Sequence, residues 1–173
     1  LVHGWVYWAW FLFPGIVYCA ERIFRYRRGG SPWLVRKVKW KPPVLEVQFF
    51  PEAKSRFKFK EGQYLYMNCP RLDRTAFNQE WHPFTISSSR GDLQFKDYVS
   101  CHIKVNPGGW TERLKDYFES MNPGEDYPLA FCHRNEKGEL VDGKQFGVDG
   151  QQLIRIDGPH SSPSQHYDSY RRT

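Results

Sequence analysis

The residues best equipped for chemistry lie in one run, Glu80-Trp81-His82-Pro83-Phe84-Thr85-Ile86-Ser87-Ser88-Ser89. It sets an imidazole, a planar aromatic ring and four hydroxyls along ten consecutive positions. Such groups can stack on and hydrogen-bond a large, flat ligand with polar edges. Proline holds its predecessor extended and cannot donate to a ladder, so His82-Pro83 opens a strand or an edge and not a helix. In a period-two run His82, Phe84 and Ile86 share one face, and Pro83, Thr85 and Ser87 the other. Taken alone, an ordinary strand with a polar end explains this window as well.

The elements that must position the run read as short strands. Trp33–Trp40, Val44–Phe50, residues 54–60, Gln63–Asn68 and Tyr98–Val105 have period-two patterning or β-rich composition. Turns are expected at Pro42-Pro43, Glu61-Gly62 and Asn106-Pro107-Gly108-Gly109, with Arg90-Gly91-Asp92 ending the central strand. Residues 111–118 predict a helix with Leu114, Tyr117 and Phe118 on its apolar face and Thr111 as N-cap. Further strands are expected at 127–133 and 152–156, around a polar excursion from Asn135 to Gly150. Many short strands with one helix predict an antiparallel barrel or sandwich.

Ahead of this region, Trp5 to Ala20 carries no charge. As a helix these residues would reach roughly 24 Å, and flanking apolar residues would nearly complete the span of about 30 Å. The expectation is the inner part of a transmembrane helix, kinked at Pro14-Gly15, with Arg22 and Arg25 at the headgroups. The basic cluster through Arg28 would then hold the following residues on the cytosolic side. A buried or interfacial aromatic helix is the alternative. Gly29-Gly30-Ser31-Pro32 marks a boundary, giving a juxtamembrane segment at 1–28 and a β domain at 31–173.

The 173 residues carry a net charge of +6, but residues 22–41 hold eight basic side chains and no acid. The excess is local and does not interleave with strand aromatics, which argues against a nucleic-acid partner. Cys19, Cys69, Cys101 and Cys132 are scattered without a C-x-x-C pair, consistent with reduced thiols and no metal site. Two disulfides remain compatible with the sequence. A chain opening on Leu1 is expected to begin inside a longer protein.

Seven motifs in order then resemble one family. Pro14-Gly15, Glu21-Arg22, Gly62-Gln63-Tyr64, Trp81-His82-Pro83-Phe84-Thr85, His102-Ile103-Lys104-Val105, Gly109-Trp110-Thr111 and Ile156-Asp157-Gly158-Pro159 are similar to NADPH oxidase catalytic subunits over nearly the whole chain. The resemblance implies a mainly β fold, a six-stranded antiparallel FAD-binding barrel of the ferredoxin-reductase type with one short helix, preceded by the end of the last transmembrane helix. It implies FAD-binding roles for His82, Pro83, Phe84, Thr85, His102, Ile103, Lys104, Trp110 and Thr111. Phe84 would lie against the flavin ring, Thr85 on its polar edge, and His82 near the ribityl chain or phosphates. Lys104 would meet the diphosphate where the family usually has arginine, which forks to two oxygens where lysine gives a point charge. The turn at Gly108-Gly109 and the following helix would offer backbone N–H groups to the same phosphates.

Family members pass electrons from NADPH through FAD and membrane haems to dioxygen, producing superoxide or hydrogen peroxide. Haem ligation needs paired histidines, and His3 stands alone beside the apolar segment. No glycine-rich dinucleotide fingerprint follows a strand. The NADPH and haem sites are therefore expected elsewhere in the whole protein, and the fragment alone is expected to be inactive. Its implied partners are FAD, those missing domains and the lipid membrane, together with a regulatory subunit that residues 22–41 could dock. A ferric-chelate reductase of the same superfamily is the near alternative. A non-enzymatic barrel held to anionic lipid by residues 22–41 is the alternative of another class.

Overall fold

The computed structural model describes residues 4–28, 33–51, 57–73, 79–135, 137, 140–141 and 153–162. The chain divides into two compact units, Leu1–Ser31 and Pro32–Thr173. The first is a single helix, α1, Gly4–Arg28, with Pro14 inside it. Trp8, Trp10, Phe11 and Phe13 are exposed on it, and the Arg22 guanidinium lies over the Tyr18 ring, 5.9 Å from its centroid. Among the described residues no helix is long and apolar enough to cross a membrane, so the expected transmembrane segment is not shown. The helix has the length, but indole and phenol groups, Pro14 and Gly15 dilute its apolar character, and Glu21 and Arg22 end its uncharged run.

The second unit is mainly β. A four-stranded antiparallel sheet is built from β1 (Leu34–Lys41), β2 (Val44–Phe50), β5 (Val99–Lys104) and β6 (Leu129–Ala130), in the order β5-β2-β1-β6. A three-stranded sheet has the order β4-β3-β9, from β3 (Tyr64–Asn68), β4 (His82–Thr85) and β9 (Arg155–His160). The small pair β7 (His133–Arg134) and β8 (Leu140–Val141) stands apart in hydrogen bonding. Among the described residues two α-helices, α2 (Arg90–Lys96) and α3 (Trp110–Ser120), and a 3-10 turn at Pro70–Leu72 complete the unit.

Side-chain alternation sets the core. Val38 opposes Val47, which opposes Cys101, and all three are fully buried. On β3 it is Leu65 and Met67 that turn inward. From α3, Trp110, Leu114 and Phe118 fall on one face at i, i+4 and i+8 and enter the same core, while Tyr117 is partly buried. A bulge in the β3–β9 pairing brings Gly158 onto β3 at a φ of 146°. A Cβ there would stand 3.1 Å from the Leu65 Cα, so the close approach needs glycine. Asp157-Gly158-Pro159 is thus part of a bulged strand.

Of the expected barrel, two antiparallel sheets are seen. The two sheets meet at one isolated bridge, Ile86 to Cys101, with the Ser87 N–H donating to Ser100 O at 2.8 Å, and no closed barrel forms among the described residues. The ladder stops there because Ser89 caps α2. Its hydroxyl accepts from the Asp92 N–H at 3.1 Å, while the Asp92 carboxylate accepts from the Ser89 N–H at 3.0 Å. That reciprocal cap makes a helix where the sequence predicted only the end of a strand. Residues 57–60 are not a strand, and 54–56 lie outside the described residues. The strand expected at 127–133 is reduced to β6 and the start of β7, and the one expected at 152–156 runs instead from Arg155 to His160.

Candidate functional site

β4 pairs with β3 so that His82 opposes Met67 and Phe84 opposes Leu65. Opposed residues share a face, so His82 and Phe84 lie on the core side, where they are half-buried. Their cover is Trp110, the first residue of α3. Its ring centroid is 4.2 Å from that of His82 and 6.1 Å from that of Phe84, the latter pair stacked at 26°. Core packing fixes Trp110, which is only 6% exposed. Its Nε1 and the His82 Nε2 are both buried without a hydrogen-bond partner.

The loop before β4 holds this arrangement in register. The Asp73 carboxylate accepts from Asn68 Nδ2 at 2.9 and 3.0 Å and from the Glu80 N–H at 2.8 Å. Asn68 Nδ2 also donates to the Glu80 carbonyl at 3.1 Å. The Glu80 side chain then reaches two groups through one oxygen: Arg113 Nη2 at 3.2 Å and His82 Nε2 at 3.7 Å. Glu80 thereby ties the strand edge to the first turns of α3.

The turn before α3 differs from expectation. Gly109 is the N-cap and brings no side-chain cap, and Thr111 sits inside the helix with its Oγ1 accepting from the Asn106 N–H at 2.9 Å. The Gly108 N–H donates to Glu112 Oε2 at 2.7 Å and the Gly109 N–H to Asn106 O at 3.0 Å, so neither glycine offers a free donor. The donors left for an anion are the first N–H groups of α3 itself, which have no intrahelical acceptor.

The remaining expected residues flank this face. Pro83 and Thr85 are exposed on the opposite side of β4. Beyond them Tyr64, Tyr66 and His160 form a cluster with ring centroids 5.4 to 5.6 Å apart, in which the hydrogen bond with Tyr66 pushes the Tyr64 phenol up. Ile103 is in the core, so only its backbone could meet a ligand. His102 and Lys104 are exposed on β5, and His102 Nε2 lies 3.9 Å from Glu46 Oε2. For Glu46, burial works against ionisation, but hydrogen bonds from Gln48 and Lys39 outweigh it and hold the carboxyl below its usual range.

The structure thus gathers His82, Phe84, Trp110 and the start of α3, and leaves Pro83 and Thr85 on the opposite side of β4 and His102 and Lys104 exposed on β5. Sequence reasoning missed Glu80, Arg113 and the Asn68–Asp73 clamp. The spacing of Glu80 from His82, two residues on an extended run, was the one available signal. The donor set suits a planar aromatic ligand with an anionic tail. It has half-buried aromatic rings at a strand edge, two buried ring nitrogens without a hydrogen bond, and a helix N-terminus with no side-chain cap. An FAD molecule fits that chemistry.

The fold is therefore a mainly β domain with a strand edge packed on a helix N-terminus. The chain belongs to the FAD-binding domain family, whose model matches residues 35–164. It is 34% identical over 165 residues to a superoxide-generating NADPH oxidase heavy chain of Dictyostelium discoideum, covering 95% of this chain and 21% of that protein. A second superoxide-generating NADPH oxidase heavy chain of the same organism is 34% identical over 167 residues, covering 96% of this chain and 28% of that protein. A respiratory burst oxidase homolog of Solanum tuberosum is 33% identical over 178 residues, covering 98% of this chain and 16% of that protein. The chain thus spans between 16% and 28% of the length of these curated relatives.

Proposed function

We propose that this chain is the flavin-binding part of an NADPH oxidase that carries electrons from NADPH through FAD and membrane haems to dioxygen, yielding superoxide or hydrogen peroxide. The observation that carries the reading is the stack of His82 and Phe84 on Trp110, where a strand edge meets a helix N-terminus. Bound there, FAD would supply the conversion of a two-electron donor's hydride into single electrons. The chain's own part is to bind and orient. Phe84 offers the ring face, Thr85 a hydroxyl at the strand's outer edge, and His82, Trp110 and the first turn of α3 the donors for the polar tail. Pro83, His102, Lys104 and the backbones of Ile103 and Thr111 complete the proposed binding region.

The two sheets, linked at Ile86 and Cys101, form on this reading the greater part of a ferredoxin-reductase-type barrel. NADPH-binding and haem-bearing parts of the whole protein are its partners, with the membrane beside the basic end of α1 and the flavin domain on the cytosolic side. The relatives' names favour the oxidase over a metal-chelate reductase.

The test is the visible spectrum and fluorescence of the purified chain titrated with FAD, for wild type, Phe84→Ala and Thr85→Ala. A perturbed flavin band that both substitutions weaken supports the reading. A wild-type chain that leaves the FAD spectrum unchanged at saturating concentrations counts against it.

A further inference from the structure

Arg113 stands in the wrong place for an ordinary surface cation. It is the fourth residue of α3, close to a helix N-terminus, where the aligned peptide dipoles disfavour positive charge. Its position is rationalised by what surrounds it. One donor, Nη2, holds Glu80 Oε2 at 3.2 Å, and the same oxygen faces His82 Nε2 at 3.7 Å. The Glu80 backbone is itself fixed by Asp73 and Asn68, so the carboxylate is a rigid anchor. Arg113 is 44% exposed, and Glu80 engages one of the five N–H donors of its planar fork.

We propose that Arg113, oriented by Glu80, is a phosphate-binding residue of this site and takes the diphosphate of a dinucleotide. This rests on the flavin reading above and adds a residue and a specificity to it. Two further observations point to an anionic ligand at the same spot. Trp110 Nε1 belongs to a residue 6% exposed and has no hydrogen-bond partner, and His82 Nε2 is likewise buried and makes no hydrogen bond, facing only Glu80 Oε2 at 3.7 Å. A diphosphate lying along the first turn of α3 would receive the guanidinium, the ring nitrogens and the helix N–H groups together. Lys104 supplies only a point charge on β5, at the position where the resembled family uses arginine. Arg113 brings a planar fork from a different element.

The experiment is a fluorescence titration of the chain with FAD and with riboflavin, which shares the ring but has no phosphate. Wild type, Arg113→Ala and Arg113→Lys are compared, with inorganic pyrophosphate as competitor. Arg113→Ala should weaken FAD binding roughly ten- to a hundredfold and leave riboflavin unchanged within about twofold, as loss of charge-assisted hydrogen bonds predicts. Arg113→Lys should recover only part of the loss, and pyrophosphate should compete with FAD on wild type more strongly than on Arg113→Ala. Equal weakening of FAD and riboflavin, or no change in either, overturns the proposal and leaves the flavin reading standing. Wild type that binds neither flavin overturns both.

Discussion

The imidazole of His82 and the indole of Trp110 pack with centroids 4.2 Å apart and planes tilted by 31°, although 28 positions separate them in the chain. One belongs to a strand edge and the other to a helix start, so their contact couples the two elements. Because Trp110 is anchored in the core, the orientation of His82 is set by packing and not by a hydrogen bond to its Nε2.

Trp110 therefore has two separable roles. Trp110→Ala should cost about 3–5 kcal/mol in urea unfolding, as for other buried large aromatics. Trp110→Phe retains most of the ring and removes the orphaned N–H, so its stability cost should be under about 1.5 kcal/mol. FAD affinity should nevertheless fall in Trp110→Phe. A Trp110→Phe chain that binds FAD as tightly as wild type would show that the indole N–H faces no ligand.

The clamp behind His82 gives a second prediction. Removing the Asp73 carboxylate takes one acceptor from the buried Asn68 amide, which keeps the Glu80 carbonyl, and leaves the Glu80 N–H without its own, at a cost of about 1–3 kcal/mol. Asp73→Asn keeps an acceptor and should cost less. Hydrogen exchange at the Glu80 amide should accelerate in Asp73→Ala more than at Val47 in the distant β2 centre. Uniform acceleration would mean that the clamp stabilises the whole unit and does not specifically position Glu80.

Much of the β framework was legible in the sequence. β1, β2, β3 and β5 announce themselves by runs such as Val44-Leu45-Glu46-Val47 between proline or glycine turns, and α3 by Leu114 and Phe118 one turn apart. The helix α2 was hidden because it has seven residues and one buried side chain, Leu93, so it shows no apolar period. The open junction between the sheets was hidden for a related reason, since the Ser89–Asp92 cap draws the chain away after the bridge at Ile86. Within the site, His82, Phe84 and Trp110 could be named from their motifs. The Glu80–Arg113 pair could not, because its partners are 33 residues apart and each looks like an ordinary surface charge.

Two glycines with positive φ separate steric from conformational cost. At Gly158 a methyl group would meet the Leu65 backbone at 3.1 Å, whereas at Gly124, with φ of 77°, nothing lies within 4 Å. Gly124→Ala should lose about 1 kcal/mol, the left-handed backbone penalty alone. Gly158→Ala should lose more, about 2–3 kcal/mol, since β9 must also move off β3. Equal losses in urea unfolding would show that the bulge can relax without cost.

Cys101 provides a pH-dependent prediction whose sign follows from burial. The thiol is fully enclosed between the sheets, and desolvation of the thiolate pushes it from 9.0 up to about 12. The native state therefore holds this proton more tightly than the unfolded chain. Its contribution to stability is complete below about pH 9 and is lost as pH rises towards about 12. Tyr127 acts in the same direction, raised by burial and by its hydrogen bond to Glu119 at 3.0 Å. Cys101→Ala removes the thiol's share, so the difference in unfolding free energy between wild type and variant should shrink across that window and stay constant below it. Native Cys101 should also resist a thiol reagent at pH 8 while exposed Cys19 reacts at once. Fast labelling of Cys101 without unfolding would mean that the junction at Ile86 opens readily, and the two sheets would then be joined more loosely than their single bridge and shared core imply.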